Sequence, residues 1–388
     1  MNQRHVIVLS IIILLYGVLN FINGRFDLFD FQVYYDACGK LLDGESPYHQ
    51  SFGLSSGFYK YSPFAAWLFA PFHLFGWMGA RILFFLFITA AISFGLPWLI
   101  RKTSEFVAPA NVYAVGVLVA LAVTLGGHFS RELLLGNVNW LLFLAVFAAF
   151  TLLEKKPLIA GLLIGAVLLF KPHFIVIVPW LALRKEFRVL AYTALVMLVL
   201  LLVPAPFSGW GWNLELISEW LGAMQAHNTS LVASPNTIYA PFGGFASDTI
   251  VVLGLLGMIG LAVLAMMLNH FKKEKSNADL KPANRFLEFS VILALIPNLV
   301  HTDTEHFMWT APLIALAAIY WFQSKGLEKA VVGIVWLLCL IPYTLATPDV
   351  WGKDMASWLQ ESGVLGLSNL VFIGLGIYSF YKARPAIT

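Results

Sequence analysis

Four carboxylates, Asp27, Asp30, Asp36 and Asp43, fall within seventeen residues near the amino terminus of a chain that is 60% hydrophobic and 12% charged. A carboxylate is costly wherever lipid replaces water, so a group of them marks a watery pocket or its rim. Partial desolvation there makes a carboxylate a stronger base, suited to taking the proton of an attacking hydroxyl. Three further segments carry complementary groups: Lys171-Pro172-His173 between two apolar runs, His128 and Arg131 with Glu132 and Asn139, and His301-Thr-Asp-Thr-Glu-His306. Positive groups and imidazoles of this kind stabilise a departing phosphate. Together they describe an active-site mouth that can take up a proton and hold a phosphate, over a lipid-linked substrate.

The elements that must hold these groups are membrane helices. The apolar content is well above the roughly 45–50% of soluble domains, and aromatic residues make up 15% of the chain. Runs of about 17–25 apolar residues cross a bilayer. Spans are predicted at 6–22, 82–100, 111–127, 138–153, 188–204, 249–269, 286–300, 307–322, 329–346 and 364–381, with two short ones, 157–170 and 174–184, broken at Lys171-Pro172-His173. The sum is an all-α polytopic membrane protein of about twelve transmembrane helices. Phe64 to Met78, interrupted by Pro71 and Gly76, is expected to be re-entrant or interfacial, and Leu214 to Met224 to form an interfacial amphipathic helix. The apolar run after Arg4 is read as an uncleaved first span.

This arrangement places seventeen of the 24 Lys and Arg on the side of the amino terminus, which the positive-inside rule makes cytoplasmic, with both chain ends inside. The opposite face carries fourteen of the 21 acids. Each segment with chemical promise falls on that outer face, in loops 23–63, 126–139, 171–173, 204–248, 301–306 and 347–363. The whole chain, 1–388, is read as one integral-membrane catalytic domain. Two cysteines are too few for a disulfide framework or a thiolate metal site, and a net charge of +3 implies no nucleic-acid surface.

Two roles fit Asp30: catalytic base, or N-cap of a helix starting at Phe31, although Val33 supplies no capping box. Asp36 lies about 600° further around a helix and Asp27 just before it, so at most one of the three shares the cavity with substrate. Lys171 either meets a phosphate or snorkels to headgroups. His173, His128 and Arg131 can add donors, with Glu132 neutralising Arg131. His306 beside Asp303 and Glu305 invites a divalent-metal reading, but their spacing matches no metal signature, so His306 is read first as a substrate or phosphate contact with a metal as the alternative, and no cofactor is assigned. Tyr34, Tyr35, Tyr48, Tyr59, Tyr61, Trp140 and Trp309 either stack on sugar rings or belong to an interfacial belt.

Taken in order, Asp30-Phe-Gln-Val-Tyr-Tyr with Asp43-Gly-Glu-Ser-Pro-Tyr48, Tyr61-Ser-Pro-Phe64, Leu135-Gly-Asn-Val-Asn139, Phe170-Lys-Pro-His173 and Asn228-Thr-Ser-Leu231 resemble the membrane glycosyltransferases of family 87. These belong to the GT-C group, which includes polyprenyl-phosphate-mannose-dependent α-mannosyltransferases. The resemblance covers about residues 25 to 325. It implies a GT-C fold, a polyprenyl-phosphate-sugar donor and a base at the position of Asp30. Two departures stand out: Asn137 occupies the place of a more usual Gln, and His301 to His306 replaces a stretch rich in Ser, Pro, Trp and His.

The expected activity is inverting transfer of a hexose, mannose first, to a glycolipid or glycan acceptor on the exoplasmic face of a bacterial cytoplasmic membrane. Asp30 is the expected base, and Lys171, His173, His306, Arg131, Asn139, Tyr34, Tyr61 and Asn228 the expected substrate contacts. The competing classes are a transporter or flippase for lipid-linked saccharides, and a polysaccharide ligase. A transporter should show ionisable groups within its spans and paired halves, whereas here the polar residues gather at one face and no repeat is visible. A ligase should gather Arg and His in its long outer loop, but 204–248 contains only His227 and no Arg.

Overall fold

The computed structural model describes residues 3–53, 57–107, 114–227, 234–242, 247–300, 303–344 and 351–383. Among them the chain is helical, with a lone antiparallel bridge between Ser51 and Phe58. The helices are α1 (Gln3–Ile22), α2 (Phe29–Leu42), α3 (Pro63–Trp67), α4 (Gly76–Ser104), α5 (Ala114–Leu135), α6 (Asn139–Leu152), α7 (Pro157–Phe170), α8 (Ile177–Leu183) and α9 (Phe187–Leu202). They continue as α10 (Ala205–Ser208), α11 (Trp210–His227), α12 (Asp248–Ser276), α13 (Lys281–Leu299), α14 (Ala311–Gln323), α15 (Gly326–Thr344), α16 (Lys353–Glu361) and α17 (Val364–Ala383).

Among the described residues, seven helical segments are long and apolar enough to cross a membrane: Gln3–Ile22, Pro63–Ser104, Ala114–Leu135, Phe187–Ser208, Asp248–Ser276, Gly326–Thr344 and Val364–Ala383. The other five segments expected to span are helical as well, as α6, α7, α8, α13 and α14. Phe64 to Met78 becomes α3, a 3-10 turn at Ala70–Phe75 and the first residues of α4. Leu214 to Met224 lies inside α11.

The chain divides into two compact units. One holds residues 7–93 and 131–229, the other 1–6, 94–130 and 230–388. In the first, α7 packs on α9 through a small-residue pair. A Cβ on Gly161 would stand 2.6 Å from that of Tyr192, and one on Gly165 would stand 3.1 Å from the carbonyl oxygen of Thr193. Small residues four apart allow such close approach where helices meet in lipid. This contact fixes the end of α7, where Pro172 stops the helix and forces the residue before it into extended backbone, so Lys171 leaves the helix axis at φ −130° and ψ 98°.

α2 buries one face, Phe31, Tyr34, Ala37, Cys38 and Leu41, at helical spacing. The Phe31 ring stacks on Phe84 at 4.3 Å and on Trp77 at 5.9 Å, and meets Phe72 edge-on at 5.5 Å. Burying each such side chain stabilises by roughly 1.5–3 kcal/mol.

In the second unit α13 is buried from Ala283 to Asn298 and α14 from Ala311 to Tyr320, so these two form its centre. One buried polar cluster here centres on Asn369 of α17. Its amide donates to the Ala294 carbonyl (2.8 Å) and to Asn298 Oδ1 (2.6 Å), and its oxygen accepts from Thr310 (2.5 Å) and Tyr343 (2.9 Å). Asn298 in turn donates to the carbonyls of Asn236 and Gly366. Buried amides in an apolar surround are stable only when paired in this way. By contrast α12 presents Ile250, Leu253, Met258 and Leu261 outward, as expected of a lipid-facing helix.

Candidate active site

The first unit assembles its polar residues around Gly136-Asn-Val-Asn139, the turn between α5 and α6. Gly136 has φ +67°, and a Cβ there would lie 2.8 Å from that of Phe31 and 3.0 Å from that of Leu28. Both the backbone conformation and the space demand glycine. Glu132, fully buried, receives the turn: its carboxylate accepts from the Asn139 amide (3.0 Å) and the Trp140 backbone N–H (2.8 Å). It thereby satisfies an orphan donor at the positive end of α6. Asn139 in turn accepts a hydrogen bond from Lys171 Nζ, which is 4% exposed.

Asn137 links the turn to α2. Its amide donates to Asp30 Oδ2 at 2.6 Å, and its oxygen accepts from the Tyr34 hydroxyl at 3.0 Å and from the Val138 N–H at 2.8 Å. Burial, with Tyr61 and the Asp30 carboxylate nearby, pushes the Tyr34 hydroxyl well above its ordinary value of 10.0, which keeps it protonated as a donor. The helix starts at Phe29, with Leu28 as N-cap, so Asp30 is the second residue of the first turn and does not cap it. Leu28 itself sits at φ 51° and ψ 53°, a left-handed conformation unusual for a branched side chain, and its N–H donates to the Leu134 carbonyl at 3.2 Å. Local strain of this kind persists where surrounding structure over-determines it.

Tyr34, Tyr48, Tyr59 and Tyr61 are buried in one cluster. Tyr34 and Tyr61 have ring centroids 5.4 Å apart, Tyr61 packs on Phe170 at 5.0 Å, and Tyr59 meets Tyr61 edge-on. The Tyr48 hydroxyl donates to the Tyr61 carbonyl and that of Tyr59 to the Ser62 carbonyl. Ser62 caps α3 by accepting from the Ala65 N–H, with Pro63 at the first helical position. The Tyr61-Ser-Pro-Phe64 motif is thus a helix start that also anchors an aromatic floor.

Asp30, Tyr34, Tyr61, Asn139 and Lys171 therefore come together in one unit. His173 is half-buried in the 3-10 turn Pro172–Val176, and Arg131 is exposed at the end of α5. Asp36 is half-buried, with Gln32 and His73 beside it, and Asp27 is exposed. Asn228 lies outside the described residues, as do His301 and Thr302. Two residues carry more of the geometry than their types announced: Asn137, which joins the base candidate to the turn, and Glu132, which organises Asn139. The motif at 136–139 was the available signal for the first, while nothing in the sequence distinguished an anchoring Glu132 from a counter-ion to Arg131.

His306 belongs to the second unit. Its Nδ1 lies 3.0 Å from the Asp303 carbonyl oxygen, which can only accept, so Nδ1 carries the proton. The ring stands edge-on to Trp309 at 4.8 Å. One ligating atom each from Asp303, Glu305 and His306 lies within 4.8 Å of the others, so these three side chains could hold a divalent cation. His128, in the same unit, packs edge-on to Tyr343 at 4.7 Å.

No solved structure matches this chain. GPI mannosyltransferase 1 of Saccharomyces cerevisiae is 24% identical over 152 residues, which is 39% of this chain and 35% of that protein, so the chain spans about a third of the length of this curated relative. The sequence profile of glycosyltransferase family 87 matches residues 58–295, more than half of the chain and including the turn at 136–139 and Lys171. The chain belongs to glycosyltransferase family 87.

Proposed function

We propose that this chain is an inverting hexosyltransferase that moves mannose from a polyprenyl-phosphate donor to a glycolipid or glycan acceptor on the exoplasmic side of a bacterial cytoplasmic membrane. Asp30 takes the acceptor hydroxyl's proton, the oxygen attacks the anomeric carbon, and the bond from that carbon to the phosphate oxygen breaks. The polyprenyl phosphate leaves with the bonding electrons, its charge stabilised by Lys171, with His173 and Arg131 as further donors. Asn139 sets the position of Lys171, and Tyr34 and Tyr61 shape the floor. The side of the membrane rests on the charge bias of the sequence, which by the positive-inside rule favours an outer location for the segments carrying Asp30 and Lys171.

The observation that carries this reading is the Asp30–Asn137 hydrogen bond. It holds a carboxylate that is not used as a helix cap, in the same turn that engages a buried lysine. Family membership supports glycosyl transfer, and the name of the yeast relative supports mannose. The test is transfer from labelled polyprenyl-phosphate mannose to a panel of acceptors by purified protein, with wild type compared with Asp30→Asn. Loss of about 10²–10⁴-fold in the variant is expected for removal of a general base. Equal rates would remove Asp30 from the mechanism. Folded wild type that consumes no donor would favour a transporter.

A further inference from the structure

A cavity of about 940 Å³ lies in the second unit between α12, α13 and α17, at the upper end of the range of about 300–1,000 Å³ usual for ligand pockets. Its α12 wall runs from Leu255 through Ile259, Ala262 and Met266 to Asn269, a single helical face. The fourteen steps from Leu255 to Asn269 rise about 21 Å, more than the roughly 15 Å of one leaflet's hydrocarbon. The groove is therefore long enough for one extended acyl chain, and its walls are apolar along that length.

Its two ends differ in charge. One is lined by Thr237, Asn298 and Ser362, all uncharged, and the Asn298 amide is already committed to the carbonyls of Asn236 and Gly366. At the other end Lys273 Nζ stands 5.6 Å from the ring centroid of Tyr381, which lines the groove. Tyr381 is fixed there by His270, whose Nε2 lies 2.7 Å from its hydroxyl and whose Nδ1–H donates to Glu288 at 2.7 Å. Lys272, Lys273 and Lys275 in the last turns of α12 and Lys281 at the start of α13 are all exposed at this end, against the acids Glu274 and Asp279. Basic pockets between membrane helices attract anionic headgroups.

We propose that the groove between α12, α13 and α17 binds an anionic phospholipid, one acyl chain along the Leu255–Met266 face and the phosphate against Lys273. Charge complementarity selects this occupant over the isoprenoid donor, whose phosphate at the opposite end would meet only uncharged lining residues. The site is independent of the transfer reaction.

Native mass spectrometry of the full chain in detergent, titrated with phosphatidylglycerol or phosphatidylcholine of the same acyl chains, tests it. Wild type is expected to retain phosphatidylglycerol preferentially. The surface substitution Lys273→Glu should weaken phosphatidylglycerol by about fivefold or more, the scale of one basic contact at an anionic surface, and leave phosphatidylcholine unchanged. Ala262→Trp, which fills the groove, should weaken both lipids. Equal retention of the two lipids by wild type, or no effect of Lys273→Glu, would overturn the proposal. So would displacement of phosphatidylglycerol by a polyprenyl phosphate whose own binding Ala262→Trp abolishes, since the groove would then belong to the donor.

Discussion

Asn137 donates a 2.6 Å hydrogen bond to Asp30 across 107 residues of chain, while its oxygen accepts from Tyr34 one helical turn further along α2. One amide therefore fixes a carboxylate and a phenol on the same helix face. A hydrogen bond to a charged group contributes about 1.5–3 kcal/mol. Asn137→Ala should reduce kcat by about 10- to 150-fold with a much smaller change in acceptor KM, because it misplaces the proposed base without removing it. Steady-state kinetics at saturating donor decide this, and an unchanged kcat would mean the bond has no part in positioning Asp30.

Gly136→Ala introduces a Cβ into the space filled by Phe31 and Leu28, at a φ that L-residues avoid. A destabilisation of about 1–3 kcal/mol is expected, together with loss of transfer, since the same turn carries Asn137 and Asn139. Thermal unfolding in detergent checks the first part. Leu28→Gly, which relieves a left-handed backbone at a position without catalytic contact, should instead keep the backbone geometry while losing the buried side chain.

Lys171 is a buried cation hydrogen-bonded to Asn139. If it also meets the donor phosphate, Lys171→Met should raise donor KM by about tenfold or more while leaving acceptor KM close to wild type. Donor titrations at fixed acceptor read this directly. Equal weakening of both substrates would assign Lys171 to folding of the turn.

Asp36 gives the protein a pH signature separate from catalysis. Burial raises its carboxyl above the ordinary value of 3.8, outweighing the opposing effects of Gln32 and His73. The folded state thus holds this proton more tightly than the unfolded chain. The resulting stabilisation is complete below the unfolded value and is lost as pH rises through the folded one. At neutral pH the ionised group opposes folding, so Asp36→Asn should unfold at higher temperature than wild type at pH 7 and converge with it below about pH 4. Melting curves across pH 3.5–8 test the sign.

The Asp30 cluster is described by side chains suited to proton transfer and phosphate binding without a metal, whereas Asp303, Glu305 and His306 could coordinate one. Removal of divalent ions by chelation should leave transfer within about twofold of the untreated enzyme, a change too small to reflect a lost Lewis acid. A larger loss, restored by Mn²⁺ in wild type but not in Glu305→Gln, would place a metal in the second unit.

The helical segments expected to span were legible because each is an apolar run, and the break at Lys171 because a proline cannot continue a helix or let its predecessor remain in one. That Asp30 needs a polar partner was also legible, since a carboxylate in so apolar a chain needs a special environment, and Asn137 supplies one. Its alternative as a helix cap was not resolved, because helix starts depend on a single residue's backbone, and Leu28 adopts a left-handed conformation that its type disfavours. Asn137 and Glu132 could not be ranked in advance either, as an amide or carboxylate acquires its role from partners distant in sequence.

What the sequence determined by itself is an all-helical membrane protein whose acids concentrate in a few connecting segments, because hydrophobic run length and charge placement are local properties. What only the tertiary structure decided is which of these residues meet: Asp30 with Asn137, Asn139 with both Glu132 and Lys171, and His306 with Asp303 and Glu305 in the other unit. Hydrogen bonds reach only about 3 Å, so their partners are set by helix packing, through contacts such as Gly161 on Tyr192 and Gly136 on Phe31, and not by any spacing along the chain.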